Sequence, residues 1–248
     1  MRSYTFPLAR ERGAVLLLLL LVLSLGAASL LMAATASSAA LARRQTLQTQ
    51  QQLAAAREAL IGYAVSHGRL PRPSSSAQDG HESVQPCNDE RSCTGWLPWA
   101  TLGLTPGDAW GKLLQYSVTP AFTVAPVVLT TVVGTKRIIA RRGGELVYVQ
   151  GYPSCEQSAQ CMPAVVWSAG PRNLGTSTLG VPQASVDLDN LDEQANALAS
   201  DTFIVRADSG EGALAVPGGP YSQQFAWVPI RPLLLRMAAA ILPPPPPG

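Results

Sequence analysis

The sequence predicts an α+β fold in which a long N-terminal helix, hydrophobic at first and amphipathic later, packs on a small antiparallel β-sheet head. Three observations carry this expectation. No charged residue occurs from Ala14 to Ala42. Apolar residues then recur at helical spacing until Gly68 and Pro71. Beyond that point, short runs rich in Val, Ile, Tyr and Trp alternate with Gly and Pro. The 248 residues suit one membrane segment and one globular domain. The expected division is a leader at 1–13, a helix at 14–67, a head at 68–242 and a Pro-rich tail at 243–248.

The leader is short and basic, with Arg2, Arg10 and Arg12 against Glu11. The apolar run behind it includes leucine at every position from 16 to 21. A membrane-spanning helix needs about 20 apolar residues, so the run is long enough. Positive residues stay on the cytoplasmic side. Arg43 and Arg44 on the far side lie well past the apolar core. The expectation is a single-pass protein of the bacterial inner membrane with its head in the periplasm. Three fates are open to the segment. It can stay as an uncleaved anchor. It can be cut at Ala34-Thr35-Ala36, a small-x-small site, although the run exceeds the roughly 7–15 residues of a signal peptide core. Or it can be cut between Gly13 and Ala14, leaving the helix on the mature chain.

After the membrane run, Leu47, Leu53, Ala54, Leu60, Ile61, Ala64 and Val65 recur near a period of 3.6. Gly68 and Pro71 supply a stop. One helix over 14–67 would be roughly 80 Å long.

In the head, strands are predicted at 113–118, 127–133, 137–141, 145–150 and 164–168. Gly134, Gly143-Gly144 and Pro153 separate them. The segment 127–150 has no room for a crossover helix and so reads as an antiparallel meander. A short helix is expected at 233–242 after Pro232, and 243–247 can only be extended polyproline. Trp96, Trp99 and Trp110 lie beside turn formers, where large rings pin loops by apolar burial. A ligand-stacking surface is the other reading of these rings.

The charge balance excludes a strong electrostatic field: Lys and Arg total 18 against 16 Asp and Glu. No nucleic-acid partner is expected. The one dense basic stretch, Lys136, Arg137, Arg141 and Arg142, reads as a solvated strand and turn. Four cysteines fall into two equal spacings, Cys87 to Cys93 and Cys155 to Cys161. In an oxidising compartment two local disulfides are expected, each worth roughly 2 kcal/mol in the chain-entropy model. A zinc site is the rival, though its pairs usually lie closer in sequence. Asp187, Asp189, Asp192 and Glu193 could offer oxygens to calcium. A solvated helix start, with acids at the positive dipole end, is the alternative. The histidines, His67 and His81, lie near no nucleophile motif. The nucleophile elbow, the phosphate-binding loop and HExxH do not occur. No catalytic residues and no resident cofactor are expected.

Arg10-Glu11-Arg12-Gly13, followed at once by the apolar run, resembles the prepilin leader of type IV pilins and type II secretion pseudopilins. The resemblance implies cleavage after Gly13 by a prepilin peptidase and methylation of the new N-terminus at Ala14. The helix would then stay in the membrane until the subunit enters a filament. Two positions depart. Ala14 stands where the family prefers Phe or Met, and Leu18 stands where most members carry Glu. That glutamate is thought to pair with the N-terminal amine of the preceding subunit. A tip subunit has no preceding neighbour, and a buried carboxylate left unpaired costs several kcal/mol. Leu18 therefore implies a minor, initiating or tip subunit.

A second resemblance covers the head. Residues 53–68 with Arg69-Leu70-Pro71, then 95–104 and 108–116, are similar to prepilin-type proteins of proteobacteria. Trp167-Ser168-Ala169-Gly170, Asp192-Glu193-Gln194-Ala195-Asn196 and Leu235-Arg236-Met237 follow in the expected order. The implied partners are other pilin or pseudopilin subunits, prepilin peptidase and an inner-membrane assembly platform. Some pseudopilins bind calcium in their heads, so the resemblance adds some weight to the calcium reading of Asp187, Asp189, Asp192 and Glu193. The alternative is an exported or membrane-anchored periplasmic enzyme or ligand-binding protein that uses the N-terminal segment only as signal or anchor.

Overall fold

The computed structural model describes residues 11–142, 144–156, 160–172, 174–183, 189–198, 200–207, 209 and 216–241. The side chains of 11–14, 30, 31 and 33–36 lie outside this description, as do most of the leader and the Pro-rich tail. The chain divides into two compact units, Met1–Thr46 and Leu47–Gly248. Helix α1 (Glu11–His67), 57 residues long, contributes to both.

In the first unit α1 carries its apolar residues at consecutive positions rather than on one stripe. Val15 to Leu23 and Leu25 are all exposed, between 55 % and 69 %. Ser24 and Ser29 return their hydroxyls to the carbonyls of Leu21 and Gly26 at 2.9 and 2.8 Å, so these polar groups are satisfied within the helix. Among the described residues no helix is long and apolar enough to cross a membrane. The apolar stretch with described side chains covers 15–29, and positions 30, 31 and 33–36 of the expected span fall outside it.

In the second unit α1 does show a stripe. Thr49, Leu53, Ala56, Leu60, Tyr63 and Ala64 are buried, at steps close to 3.6. Leu47 and Ala54, expected on this stripe, are exposed. Each turn buries only one face: position 54 is rotated about 100° from Leu53, and 47 lies nearly opposite Thr49. The helix stops at Gly68, whose N–H donates to Ala64 O at 2.9 Å in a left-handed conformation.

Among the described residues nine strands follow: β1 (Thr94–Trp96), β2 (Gln115–Val118), β3 (Arg137–Arg142), β4 (Glu145–Gln150), β5 (Ala164–Ser168), β6 (Gly175–Thr176), β7 (Pro182–Gln183), β8 (Thr202–Val205) and β9 (Gln224–Val228). Helix α2 (Leu191–Ala197) precedes β8, and α3 (Ile230–Ile241) follows β9. A four-stranded antiparallel sheet has the order β1-β2-β5-β9, a three-stranded sheet β4-β3-β8, and β6-β7 form a short ribbon. Strand β5 is buried on both faces. Ala164 and Val166 pack with Leu53, Leu60 and Leu233 of α1 and α3. Val165 and Trp167 face the other way, onto Ile138 of β3 and Phe203 of β8.

The architecture is α+β, and the strands expected at 137–141, 145–150 and 164–168 are present as β3, β4 and β5. Two expectations need correction. Residues 127–133 form a turn and loop rather than a strand. The Val127 N–H donates to Gly68 O at 3.0 Å, so its backbone caps the helix end instead of joining a ladder. The second sheet is not wholly antiparallel, because β3 pairs with β8 in parallel. The C-terminal helix begins at Ile230, so Pro232 sits inside its first turn, where a missing N–H costs nothing.

Candidate functional site

Two features of this chain invite a functional reading: the apolar helix of the first unit and the charged residues of the second. On the helix, Gly13 and Ala14 lie within the α1 backbone, and Leu18 is 62 % exposed. An α-helix that is apolar all round is stable only where lipid or other helices cover it.

The acidic segment is not the solvated helix start that the sequence implied. Asp187 lies outside the described residues, and Asp189 is exposed. Asp192 and Glu193 stand in the first turn of α2, yet they are only 1 % and 0 % exposed. Burial is tolerated because both carboxylates are met by donors. Asp192 Oδ1 accepts from Arg141 Nη2 at 2.7 Å, and Oδ2 accepts from Arg141 Nε at 3.0 Å and Arg206 Nη1 at 3.1 Å. Glu193 accepts from the Ser222 hydroxyl at 3.0 Å and from Asn190 Nδ2 at 3.0 Å, with Arg172 4.0 Å away. Gly218 lies flat against this pair: at φ +85°, a Cβ there would fall 2.1 Å from Asp192 Oδ2.

Two guanidinium groups already neutralise Asp192, and no group of three or more His, Cys, Asp or Glu gathers among the described residues. The hydrogen bond to Asp192 also holds the Arg141 guanidinium above its ordinary pKa.

The basic stretch is likewise more structural than solvated. Lys136 is fully buried and paired with Glu90, Arg137 pairs with Asp201, and only Arg142 is exposed. The sequence hid this because the partners lie some 45 to 65 residues away, at separations of 46, 64 and 51 for Lys136, Arg137 and Arg141.

Two of the blocks that carried the head resemblance, 108–116 and 167–170, meet in space. Asp108 accepts from the N–H groups of Trp110 and Lys112, both at 2.9 Å, and from the Ser168 hydroxyl at 2.6 Å. Lys112 is buried and donates to Gly170 O at 2.6 Å and to Arg172 O. Burial pulls its ammonium below the usual lysine value, opposed by Asp108 and Glu193. From the Asp192-to-Asn196 block, Asn196 bonds β8: Nδ2 donates to Ile204 O and Oδ1 accepts from Ile204 N, both at 2.7 Å. These are latches between segments of the head.

Both local disulfides are formed, Cys87–Cys93 and Cys155–Cys161, so no thiolate is left for zinc. The three tryptophans at 96, 99 and 110 are half-buried. Trp96 pairs with Ser74 through the backbone, and the Trp99 ring covers Gly80. The aromatic cluster lies elsewhere, where Trp167 meets Phe203 at 5.2 Å and Phe225 at 6.0 Å. Sequence reasoning missed Phe203 and Phe225 because β8 and β9 are short strands without regular alternation. Beside β9, a groove of about 300 Å³ is lined by Leu53, Arg57, Phe225 and Trp227. His67 stacks on Tyr63 at 3.9 Å, and its Nδ1 lies 2.8 Å from the Ser66 hydroxyl and 3.1 Å from the Tyr63 carbonyl oxygen.

Comparison with protein-family models, with curated proteins and with solved structures finds no match to this chain.

Proposed function

We propose that this chain is a minor pseudopilin or pilin-like subunit of a type II secretion or type IV pilus-like assembly, acting structurally at filament initiation or the tip. The observation that carries the reading is the ring of exposed apolar residues from Val15 to Leu25. It lies directly behind Gly13 and a basic leader. Such a surface calls for lipid before assembly and for neighbouring helices after it. Leu18 keeps that surface free of charge where a carboxylate would ask for a partner. The head is tied by two disulfides, which suits a periplasmic location. Its conspicuous polar residues are spent on internal latches, which favours a role in assembly over one in catalysis.

The test is the mature N-terminus of the membrane-bound protein. Cleavage after Gly13 predicts a chain beginning at Ala14. That cut removes three Arg and one Glu and leaves the side chains formally neutral, histidine aside. A chain beginning at Ser37 would instead establish the secretory reading and remove the basis for assembly.

A further inference from the structure

Glu90 sits within the loop closed by Cys87–Cys93. Both of its carboxylate oxygens point to one place. Oε1 accepts from the Thr135 hydroxyl at 2.6 Å, and Oε2 pairs with Lys136 Nζ. The backbone of Lys136 exchanges hydrogen bonds with Met162, at 3.0 and 2.7 Å, and the next residue begins β3. Strand β3 is the middle strand of its sheet, paired to β4 on one side and β8 on the other. Lys136 is therefore a fully buried cation at the start of the strand that organises that sheet. Burial pulls its ammonium below the ordinary lysine value, and the Glu90 charge opposes this, with a smaller contribution from Asp201. A buried charge that loses its partner is strongly destabilising.

The loop that delivers Glu90 is short and shaped by its closure. Cys93 N–H donates to Asp89 O at 3.0 Å, and the Thr94 hydroxyl donates to Glu90 O at 2.7 Å. The residues between the cysteines are exposed or half-buried, whereas Cys87 and Cys93 are buried in the main core. Without the bond, nothing apolar within the loop holds Glu90 over Lys136.

We propose that the Cys87–Cys93 loop is an oxidation-dependent clasp: closing the bond fixes Glu90 against Lys136, and so makes the ordering of β3 conditional on oxidation. The step is thiol–disulfide exchange with a disulfide donor. Two S–H bonds are lost and one S–S bond forms, while the donor takes up both electrons and both protons and leaves as a dithiol. Because the sulfurs end in the core, the bond forms before the head closes and is then shielded from reductants. The head closes in an oxidising compartment and stays loose at β3 in a reducing one.

The test is amide hydrogen exchange on the full-length chain, comparing 137–142 with β5. Wild type is compared with Cys87→Ser/Cys93→Ser, Glu90→Gln, and the triple variant. The proposal expects exchange at 137–142 to rise more than tenfold in each, with β5 within about threefold of wild type, and the triple variant no faster than the faster parent. Unchanged exchange at 137–142, an equal rise at β5, or multiplying effects in the triple variant would overturn it. Lys136→Met removes the charge that needs Glu90. If the serine variant does not fold, Lys136→Met should restore its folding, and failure to do so would also overturn the proposal. If it folds, Lys136→Met should cut the more than tenfold effect of losing the disulfide to less than threefold, and an undiminished effect would count against the clasp.

Discussion

The hydroxyl of Tyr63, near the end of α1, donates to Glu82 Oε1 at 2.6 Å. The same carboxylate accepts from both terminal nitrogens of Arg69, at 2.7 and 2.8 Å, and from the Arg72 N–H at 3.1 Å. The Arg69 guanidinium also lies 5.5 Å over the Tyr63 ring. One acid thus joins the last turns of the long helix to the loop that leaves it.

The first prediction concerns acid stability. Burial pushes the Glu82 carboxyl up, but hydrogen bonds from Arg69, Tyr63 and Arg72 outweigh it and bring it down to about 2, from an ordinary value of 4.5. The folded carboxyl therefore titrates below the unfolded one. Its stabilisation is full above about pH 4.5 and is lost as pH falls towards 2. Allowing for its partial exposure, the contribution at pH 7 is about 2 kcal/mol. Glu82→Gln should lower the urea midpoint at pH 7, and the gap from wild type should narrow at pH 3. A gap of constant size across that range would contradict the assignment.

A second prediction follows from Asp192. Asp192→Asn keeps the shape but leaves Arg141 and Arg206 without a carboxylate, at a cost of about 3 kcal/mol. Thermal unfolding of the variant should show the loss directly. Wild type heated with millimolar calcium or with a chelator should melt at one temperature, whereas a calcium site would shift it by mass action.

Gly80 offers a third. It has φ +63°, and a Cβ there would lie 2.1 Å from Trp99 Cε2. Gly80→Ala should cost about 2 kcal/mol through strain and displacement of the ring. Pairing it with Trp99→Ala should recover part of that loss, because the collision disappears. Full additivity in denaturant titrations would show that the two residues do not collide.

The fourth prediction tests the tip assignment. Leu18→Glu places a carboxylate on the apolar surface. At a membrane helix centre an acid costs about 3 kcal/mol, and less near an end. The variant should insert somewhat less well and gain nothing in assembly. Filament incorporation, normalised to the amount in the membrane, is the measurement. A clear rise for Leu18→Glu would identify a bulk subunit instead.

What could be read from the sequence was local. The helix and its stop at Gly68, the β3–β4 hairpin, β5 and the Cys87–Cys93 and Cys155–Cys161 pairs depend on neighbours a few residues apart. What could not be read depends on partners far along the chain. Asp192 and Lys136 look solvated by composition, and only Arg141, Arg206 and Glu90 explain their burial. Strand β8, four residues long, owes its existence to parallel pairing with β3. Residues 127–133 have strand-like composition, but Val127 gives its N–H to the helix end. Propensity yields to such contacts when they satisfy a backbone group that would otherwise be stranded.

Asn196 imposes a limit on growth. Its side-chain amide occupies both backbone groups of Ile204, and the Tyr221 hydroxyl reaches the same carbonyl at 2.8 Å. A visiting strand finds the middle of the β8 border already taken, so the sheet ends there. Crowded copies of this head cannot zip together through that border. A residue with the right shape to imitate one rung of a neighbouring strand thus acts as a guard against aggregation.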